Sequence, residues 1–137
     1  MRSRKQEKRS RYLIDTSALY PMLLKGMVID SERFAICQLT EYEIGNVLWK
    51  ESQKGKVSDP ARAAELFYEA IKDLPKIGVD SMPRVLLLAI DRKLTFYDAS
   101  YSYIAEKERM ILVTQDEELR RKTRNAIAVE GLELGSR

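Results

Sequence analysis

The chain has 137 residues, 45% apolar and 33% charged, which excludes a disordered protein and predicts one globular domain with a real core. It contains no histidine, one cysteine and six scattered glycines, which excludes histidine-dependent catalysis, intramolecular disulfides, multi-cysteine metal sites and glycine-rich phosphate loops. The net charge of +3 is compatible with a nucleic-acid partner. No secretory signal or membrane-length apolar run is visible, so a cytoplasmic location is expected.

Residues 1–10 form a predicted basic N-terminal tail, and residues 11–137 form the predicted single domain. Five apolar runs have the length of buried strands, the last of them weakly: 12–14, 34–37, 77–79, 111–113 and 126–129. Apolar residues at helical spacing lie between and after these runs: 16–25, 41–54, 60–74, 83–90, 98–105 and 116–124. Pro21 requires the first helix to start late or to kink, and Gly55 is the expected end of the second.

This alternation of apolar strands with helices predicts an α/β fold. The sheet is expected to be parallel, with four to five strands and with helices on both faces, in three layers. Ligands of such open sheets bind outside the carboxyl ends of the strands. The residues that follow each strand are therefore the candidates for a functional site.

Four acids fall where this topology brings them to one edge. Asp15 directly follows the first strand, and Asp116 follows the fourth. Glu43 and Asp98 lie in the first turns of two helices. Two unit charges about 4 Å apart repel by roughly 4 kcal/mol at the effective dielectric that suits protein surfaces. The cluster therefore needs protonated acids or a cation, and oxygen ligands favour Mg²⁺ or Mn²⁺.

Each acid also has a purely structural interpretation. Three segments match the capping-box pattern, the last as a near variant: Thr40–Glu43, Thr114–Glu117 and Thr95–Asp98. Helix N-termini favour acids through the helix dipole, so an isolated acid in a first turn is more often a cap than a catalyst. For Asp15, capping of the following helix and a role in a site are about equally compatible with the sequence.

Four motifs in order resemble those of the PIN-domain ribonucleases. The segments are Leu13–Leu19 (LIDTSAL), Leu39–Asn46 (LT-x-x-E-x-x-N), Tyr97–Tyr101 (YDASY) and Leu112–Leu119 (LVT-x-D-x-x-L). The resemblance covers roughly residues 11–130 and is greatest to the VapC toxins of toxin-antitoxin pairs. It implies a Rossmann-like sheet, a Mg²⁺ or Mn²⁺ site at its carboxyl edge and endonucleolytic hydrolysis of RNA. It also implies a homodimer and a cognate antitoxin protein.

The resemblance assigns roles to individual residues. It makes Asp15, Glu43, Asp98 and Asp116 the catalytic metal ligands. It suggests four supporting residues: Thr16, Asn46, Thr114 and Glu117. Asn46 is expected to orient Glu43 from the next helical turn, although a plain surface position fits equally well. Cationic side chains that follow the acids are candidate RNA contacts, or simply solvated helix faces: Lys50, Lys54, Arg120, Arg121, Lys122 and Arg124.

The expected reaction is in-line attack of an ion-activated water on an RNA phosphodiester, without a covalent intermediate. The first alternative is a non-catalytic PIN-like binding or interaction module that retains the acids. A receiver-like signalling domain is a second alternative. It normally needs an acidic pair near the first strand, where this chain has Asp15 alone.

Overall fold

The short apolar runs pair into one sheet in the computed structural model, which describes residues 11–132. The strands are β1 (Tyr12–Ile14), β2 (Phe34–Cys37), β3 (Lys76–Ile77), β4 (Ile111–Val113) and β5 (Ala126–Ile127). All pairings are parallel, in the order β3-β2-β1-β4-β5. The predicted parallel α/β sheet is confirmed, although β3 starts one residue earlier than expected and β5 is shorter. The predicted basic tail lies outside the described residues.

Six helices connect and follow the strands. They are α1 (Thr16–Leu24), α2 (Thr40–Gln53), α3 (Pro60–Ile71), α4 (Met82–Arg92), α5 (Phe96–Glu108) and α6 (Glu117–Lys122). Helix α1 begins directly after β1 and includes Pro21 in its interior, so it does not start late. As predicted, Gly55 ends α2, with the positive φ of 75° that glycine adopts without a Cβ penalty. No helix within residues 11–132 is long and apolar enough to cross a membrane.

Alternation along the strands divides the core into two layers. Leu13 and Leu112 point to the face covered by α5. Their neighbours Ile14 and Val113 point to the face covered by α1, α2 and α3. All four side chains are fully buried, as expected for strands that are covered on both sides. The result is the predicted three-layer arrangement.

The register of β1 on β4 positions the functional edge. Ile14 pairs with Val113 at the carboxyl ends of the two strands. The ladder continues one step further, because the Asp15 amide donates to the Val113 carbonyl over 3.1 Å. Asp15 and Thr114 therefore leave the sheet side by side.

An ion pair between helices holds the far end of α6. The Arg92 guanidinium on α4 donates to both carboxylate oxygens of Glu106 on α5, over 2.7 and 2.9 Å. It also donates to the Lys122 carbonyl at the end of α6. The side chains of Arg92 and Glu106 are only 22% and 18% exposed, so the pair is largely desolvated. Three helices meet at this contact.

Replacing Arg92 by methionine is expected to lower the free energy of unfolding by about 1.5–3 kcal/mol, because a half-buried carboxylate loses its charged donors. Urea unfolding followed by circular dichroism measures the change. The matched control is Arg62→Met, which breaks the exposed Arg62–Glu65 pair on α3 and should change stability by less than about 1 kcal/mol. Equal effects of the two substitutions on the free energy of unfolding would contradict the stabilising role of Arg92 between the three helices.

Candidate active site

Asp15 lies at the centre of the carboxyl edge and serves two roles at once. It is the N-cap of α1, with Oδ1 accepting from the Ala18 amide over 3.0 Å. It is also buried, at 5% exposure, and accepts two further hydrogen bonds from hydroxyl groups. The capping and functional interpretations of Asp15 are therefore compatible.

Two hydroxyl groups fix the Asp15 carboxylate from both sides. Thr114 Oγ1 donates to Oδ2 over 2.5 Å, and Ser17 Oγ donates to Oδ1 over 2.8 Å. Each hydroxyl also accepts a hydrogen bond from a backbone amide in the connection between β4 and α6. The Asp116 amide donates to Thr114, and the Gln115 amide donates to Ser17. The segments after β1 and β4 are thereby joined. The sequence prediction named Thr114 but missed Ser17, whose position two residues after Asp15 was the available signal.

Glu43 is held by side chains distant in sequence. Thr16 Oγ1 and the Tyr101 hydroxyl each donate to its Oε1 over 2.7 Å. The N-cap of α2 is Leu39, which makes no side-chain capping bond. The capping-box interpretation of Thr40–Glu43 is therefore wrong. The Thr40 hydroxyl instead accepts from the Cys37 amide and contacts Tyr101.

Asp98 and Asp116 complete the acidic edge. Asp98 lies half-buried in the first turn of α5, whose N-cap is Thr95. Asp116 is itself the N-cap of α6 and accepts from the Leu119 amide over 3.0 Å. The predicted capping box starting at Thr114 is thus wrong, because the cap is two residues later.

The acids influence one another electrostatically. Burial raises the pKa of Asp15 to about 6 against the opposing hydrogen bonds, and the charge of Asp98 adds to the rise. Burial also raises the pKa of Asp98, followed by the charges of Asp116 and Glu43. No ion pair within residues 11–132 involves any of these four carboxylates. The edge is therefore a region of uncompensated negative charge.

The donor chemistry of this edge fits a hard divalent cation. Every candidate ligand is a carboxylate oxygen, the ligand type that Mg²⁺ and Mn²⁺ prefer, and no lysine or arginine of residues 11–132 forms an ion pair with these four acids. As placed, no three acidic side chains of residues 11–132 group tightly enough to hold an ion. A cation bound at this edge would remove the mutual repulsion of the acids.

Comparison with known proteins identifies the family of the chain. The PIN domain family matches residues 12–125. This chain belongs to the PIN-domain family. It is 44% identical over 123 residues to a Pyrobaculum aerophilum protein named exonuclease VapC9, covering 88% of this chain and 92% of that protein. It is 30% identical over 99 residues to the ribonuclease VapC3 of the same organism, covering 69% of this chain and 75% of VapC3.

The fold of this PIN domain is also found in a solved structure. The crystal structure of PAE2754 from Pyrobaculum aerophilum matches it with a TM-score of 0.84 and 42% sequence identity. The match covers 93% of this chain and 91% of that one. The family match over residues 12–125 includes all four acids.

Within residues 11–132, two predicted supporting residues of the PIN domain form no side-chain hydrogen bond to the acids. Asn46 is exposed and makes no hydrogen bond to Glu43 within the described residues, because that carboxylate is turned towards Thr16. Glu117 is exposed in the first turn of α6. The sequence prediction did not include its neighbour Glu118. The charge of Glu118 contributes to the raised pKa of Asp98, after those of Asp116 and Glu43.

The predicted RNA-contacting cations are placed unequally. Arg120 donates to the Thr114 carbonyl over 2.7 Å, and Lys122 is paired with Glu118. Arg124 precedes β5 and so lies at the amino edge of the sheet, opposite the acids. Three of the predicted cations are exposed and lie on α2, at its end or on α6: Lys50, Lys54 and Arg121. Of these three, Lys54 forms an ion pair with Glu51 over 3.6 Å, whereas Lys50 and Arg121 form none within residues 11–132.

Replacing Asp98 by asparagine is expected to stabilise the metal-free PIN domain by about 1 kcal/mol, because it removes one of several mutually repelling charges. Thermal unfolding in a chelator measures the change, with Asp73→Asn as a control that removes one exposed charge far from the acids. A lower midpoint for Asp98→Asn than for the wild type would contradict the electrostatic strain described above.

Proposed function

We propose that this protein is a divalent-metal-dependent endoribonuclease of the VapC type. The observation that carries the proposal is the acidic edge, in which four carboxylates from four segments influence each other's charge and form no ion pair within residues 11–132. The names of the two relatives, an exonuclease and a ribonuclease, support phosphodiester hydrolysis.

Asp15, Glu43, Asp98 and Asp116 would hold Mg²⁺ or Mn²⁺. The cation would polarise the phosphodiester, lower the pKa of a water and neutralise developing charge. Asp15 and Glu43 are fixed in advance by hydroxyl donors, so they need little reorganisation.

Purified protein tests the proposal directly. Labelled single-stranded RNA should be cleaved with Mg²⁺ or Mn²⁺ and left intact with a chelator, and DNA of the same sequence serves as the comparison. The absence of cleavage on a varied set of RNAs, in a protein that binds Mn²⁺, would instead favour the non-catalytic binding module.

Exonuclease action is a second candidate, favoured by the name of VapC9. A circular RNA separates the two activities, since it has no end from which an exonuclease can start. Linearisation of the circle supports the endonuclease proposal. A circle that survives while its linear form is degraded establishes the exonuclease.

We also propose that the protein forms a homodimer through the outer face of α4. Its inner side packs on α5 through Val85 and Ala89, which contact Ala99. Its outer side still exposes four large apolar side chains by 45–67%: Met82, Leu86, Leu87 and Ile90. A contiguous apolar stripe of this kind marks a protein interface, and a second copy of the chain is the commonest partner of a soluble protein.

Leu87→Glu is expected to convert the dimer to a monomer, because it places a charge in the centre of the stripe that the dimer would bury. Sedimentation velocity measures the mass. Leu66→Glu, at a 54% exposed position on α3, is the matched control and should remain dimeric. A wild-type protein that sediments as a monomer at micromolar concentration would refute the dimer.

We propose a protein antitoxin as a partner besides RNA and a second copy of the chain. The cytoplasm is the proposed location. A second set of exposed apolar side chains, on α2 and α3, offers the antitoxin a surface: Tyr42, Trp49, Leu66 and Tyr68. Co-expression with the product of an adjacent short reading frame should suppress RNA cleavage. Unchanged cleavage by the purified complex would count against that product.

A further inference from the structure

The Tyr101 phenol connects the core of the domain to the Glu43 carboxylate. We infer that Tyr101 is a positioning residue that leaves Glu43 a single oxygen, Oε2, to offer a divalent cation. The inference rests on the proposed metal-dependent function and assigns one further residue to it. Its consequence is a preference for small cations over Ca²⁺.

Both hydrogen-bond donors of Glu43 converge on the same oxygen. Thr16 Oγ1 and the Tyr101 hydroxyl each lie 2.7 Å from Oε1. A carboxylate oxygen has two lone-pair positions, so these donors satisfy Oε1. Within residues 11–132, Oε2 accepts no hydrogen bond. It is therefore the oxygen that remains available.

The direction of the hydrogen bonds is fixed along a chain of donors. The Cys37 amide donates to Thr40 Oγ1 over 3.2 Å, which leaves the Thr40 proton for the Tyr101 oxygen 3.0 Å away. The single Tyr101 proton then points to Glu43, which as a carboxylate only accepts. Because the Glu43 carboxylate at the end of the chain can only accept, the Tyr101 proton is used there and the Tyr101 oxygen must accept from Thr40.

The phenol is held rigidly. Its ring is 4% exposed and belongs to the core layer that contains Leu13, Ala35 and Leu112. Asp98 lies three residues earlier on α5 and hence on the same helical face. One core helix therefore supplies one acid of the site and fixes the orientation of another.

Cations differ in how they use carboxylates. Ca²⁺ takes six to eight oxygens and readily binds both oxygens of one carboxylate, whereas Mg²⁺ demands a compact octahedron of single oxygens. Occupying Oε1 with two hydroxyl donors disfavours two-oxygen binding by Glu43. Losing the Tyr101 hydroxyl releases Oε1 for a larger ion.

The test compares Tyr101→Phe with Tyr103→Phe in the full chain. The control is closely matched, because Tyr103 lies on the same helix and also donates to a carboxylate over 2.7 Å, that of Asp80. Affinities for Mn²⁺ and for Ca²⁺ are measured without RNA by calorimetry. We expect Tyr101→Phe to weaken Mn²⁺ binding about 10-fold, as loss of an outer partner of a metal ligand does. Its Ca²⁺ affinity should be unchanged or higher, and Tyr103→Phe should keep the wild-type ratio of the two affinities.

A second variant guards against a folding defect. Thr40→Val removes the donor to Tyr101 without altering the ring, and it should shift the Mn²⁺ to Ca²⁺ ratio in the same direction by a smaller factor. If the wild type binds Mn²⁺ and both Tyr101→Phe and Thr40→Val keep its ratio, the inference is overturned while the proposed function stands. If the wild type binds neither ion, both are overturned.

Discussion

Asp15→Asn is expected to lower metal-dependent RNA cleavage by more than about 100-fold while the domain stays folded. Outer partners of metal ligands already account for about 10- to 100-fold, and Asp15 is proposed as a ligand itself. The fold should persist because asparagine also caps helices and retains an acceptor for the Ala18 amide. Initial cleavage rates with Mn²⁺ measure the loss, and circular dichroism verifies the fold.

Asp59→Asn is the matched control for this substitution. Asp59 caps α3 as Asp15 caps α1, accepting from the Arg62 amide over 3.1 Å, but it is exposed. Its replacement should leave cleavage unchanged. Wild-type rates for Asp15→Asn would remove Asp15 from the active site and reduce it to a helix cap.

Mn²⁺ is expected to stabilise the wild-type protein strongly at pH 7.5 and weakly at pH 5. At about 100 times its dissociation constant, an ion that binds only the folded state adds about 2.7 kcal/mol, or roughly 7–12 °C in the melting temperature of a domain of this size. The pH dependence follows from Asp15, whose pKa of about 6 lies above its ordinary value of 3.8. Below pH 6 a proton occupies the carboxylate that the ion needs.

The same pKa fixes the sign of the effect in the metal-free protein. Folded Asp15 holds its proton more tightly than unfolded Asp15, so its contribution to stability falls as the pH rises from about 4 to 6. Added Mn²⁺ then compensates for that loss above pH 6. Thermal scans at both pH values, with Mn²⁺ or a chelator, measure the shifts, and Asp59→Asn should behave like the wild type. Equal Mn²⁺ shifts at pH 5 and pH 7.5 would show that the ion binds away from Asp15.

The placement of the acids could be predicted from sequence because topology determines it. Apolar strands that alternate with helices form a parallel sheet, and residues after neighbouring strands must then meet at one edge. Asp15 and Thr114 meet in this way. The capping patterns were less informative, because a first-turn acid has the same sequence signature whether it caps or turns away. Asp116 caps one residue before its helix, whereas Glu43 turns away from the start of α2.

The supporting contacts could not be predicted, because they join residues far apart in sequence. Tyr101 occupies a core position at helical spacing, and only its contact with Glu43, 58 residues away, reveals another role. Asn46 illustrates the opposite error. Three residues of helical separation bring it near Glu43, but proximity does not decide which way a carboxylate turns.

The two helices that complete the acidic edge differ in how much of the core depends on them. Helix α5 carries Asp98 and Tyr101 along with a large part of one core layer, whereas α6 has six residues and one buried side chain, Leu119. Substitutions on α5 must therefore preserve folding as well as chemistry. Those around Asp116 alter the site at a smaller cost in stability. Under the proposed function, evolutionary changes in substrate preference are thus expected to accumulate on the α6 side.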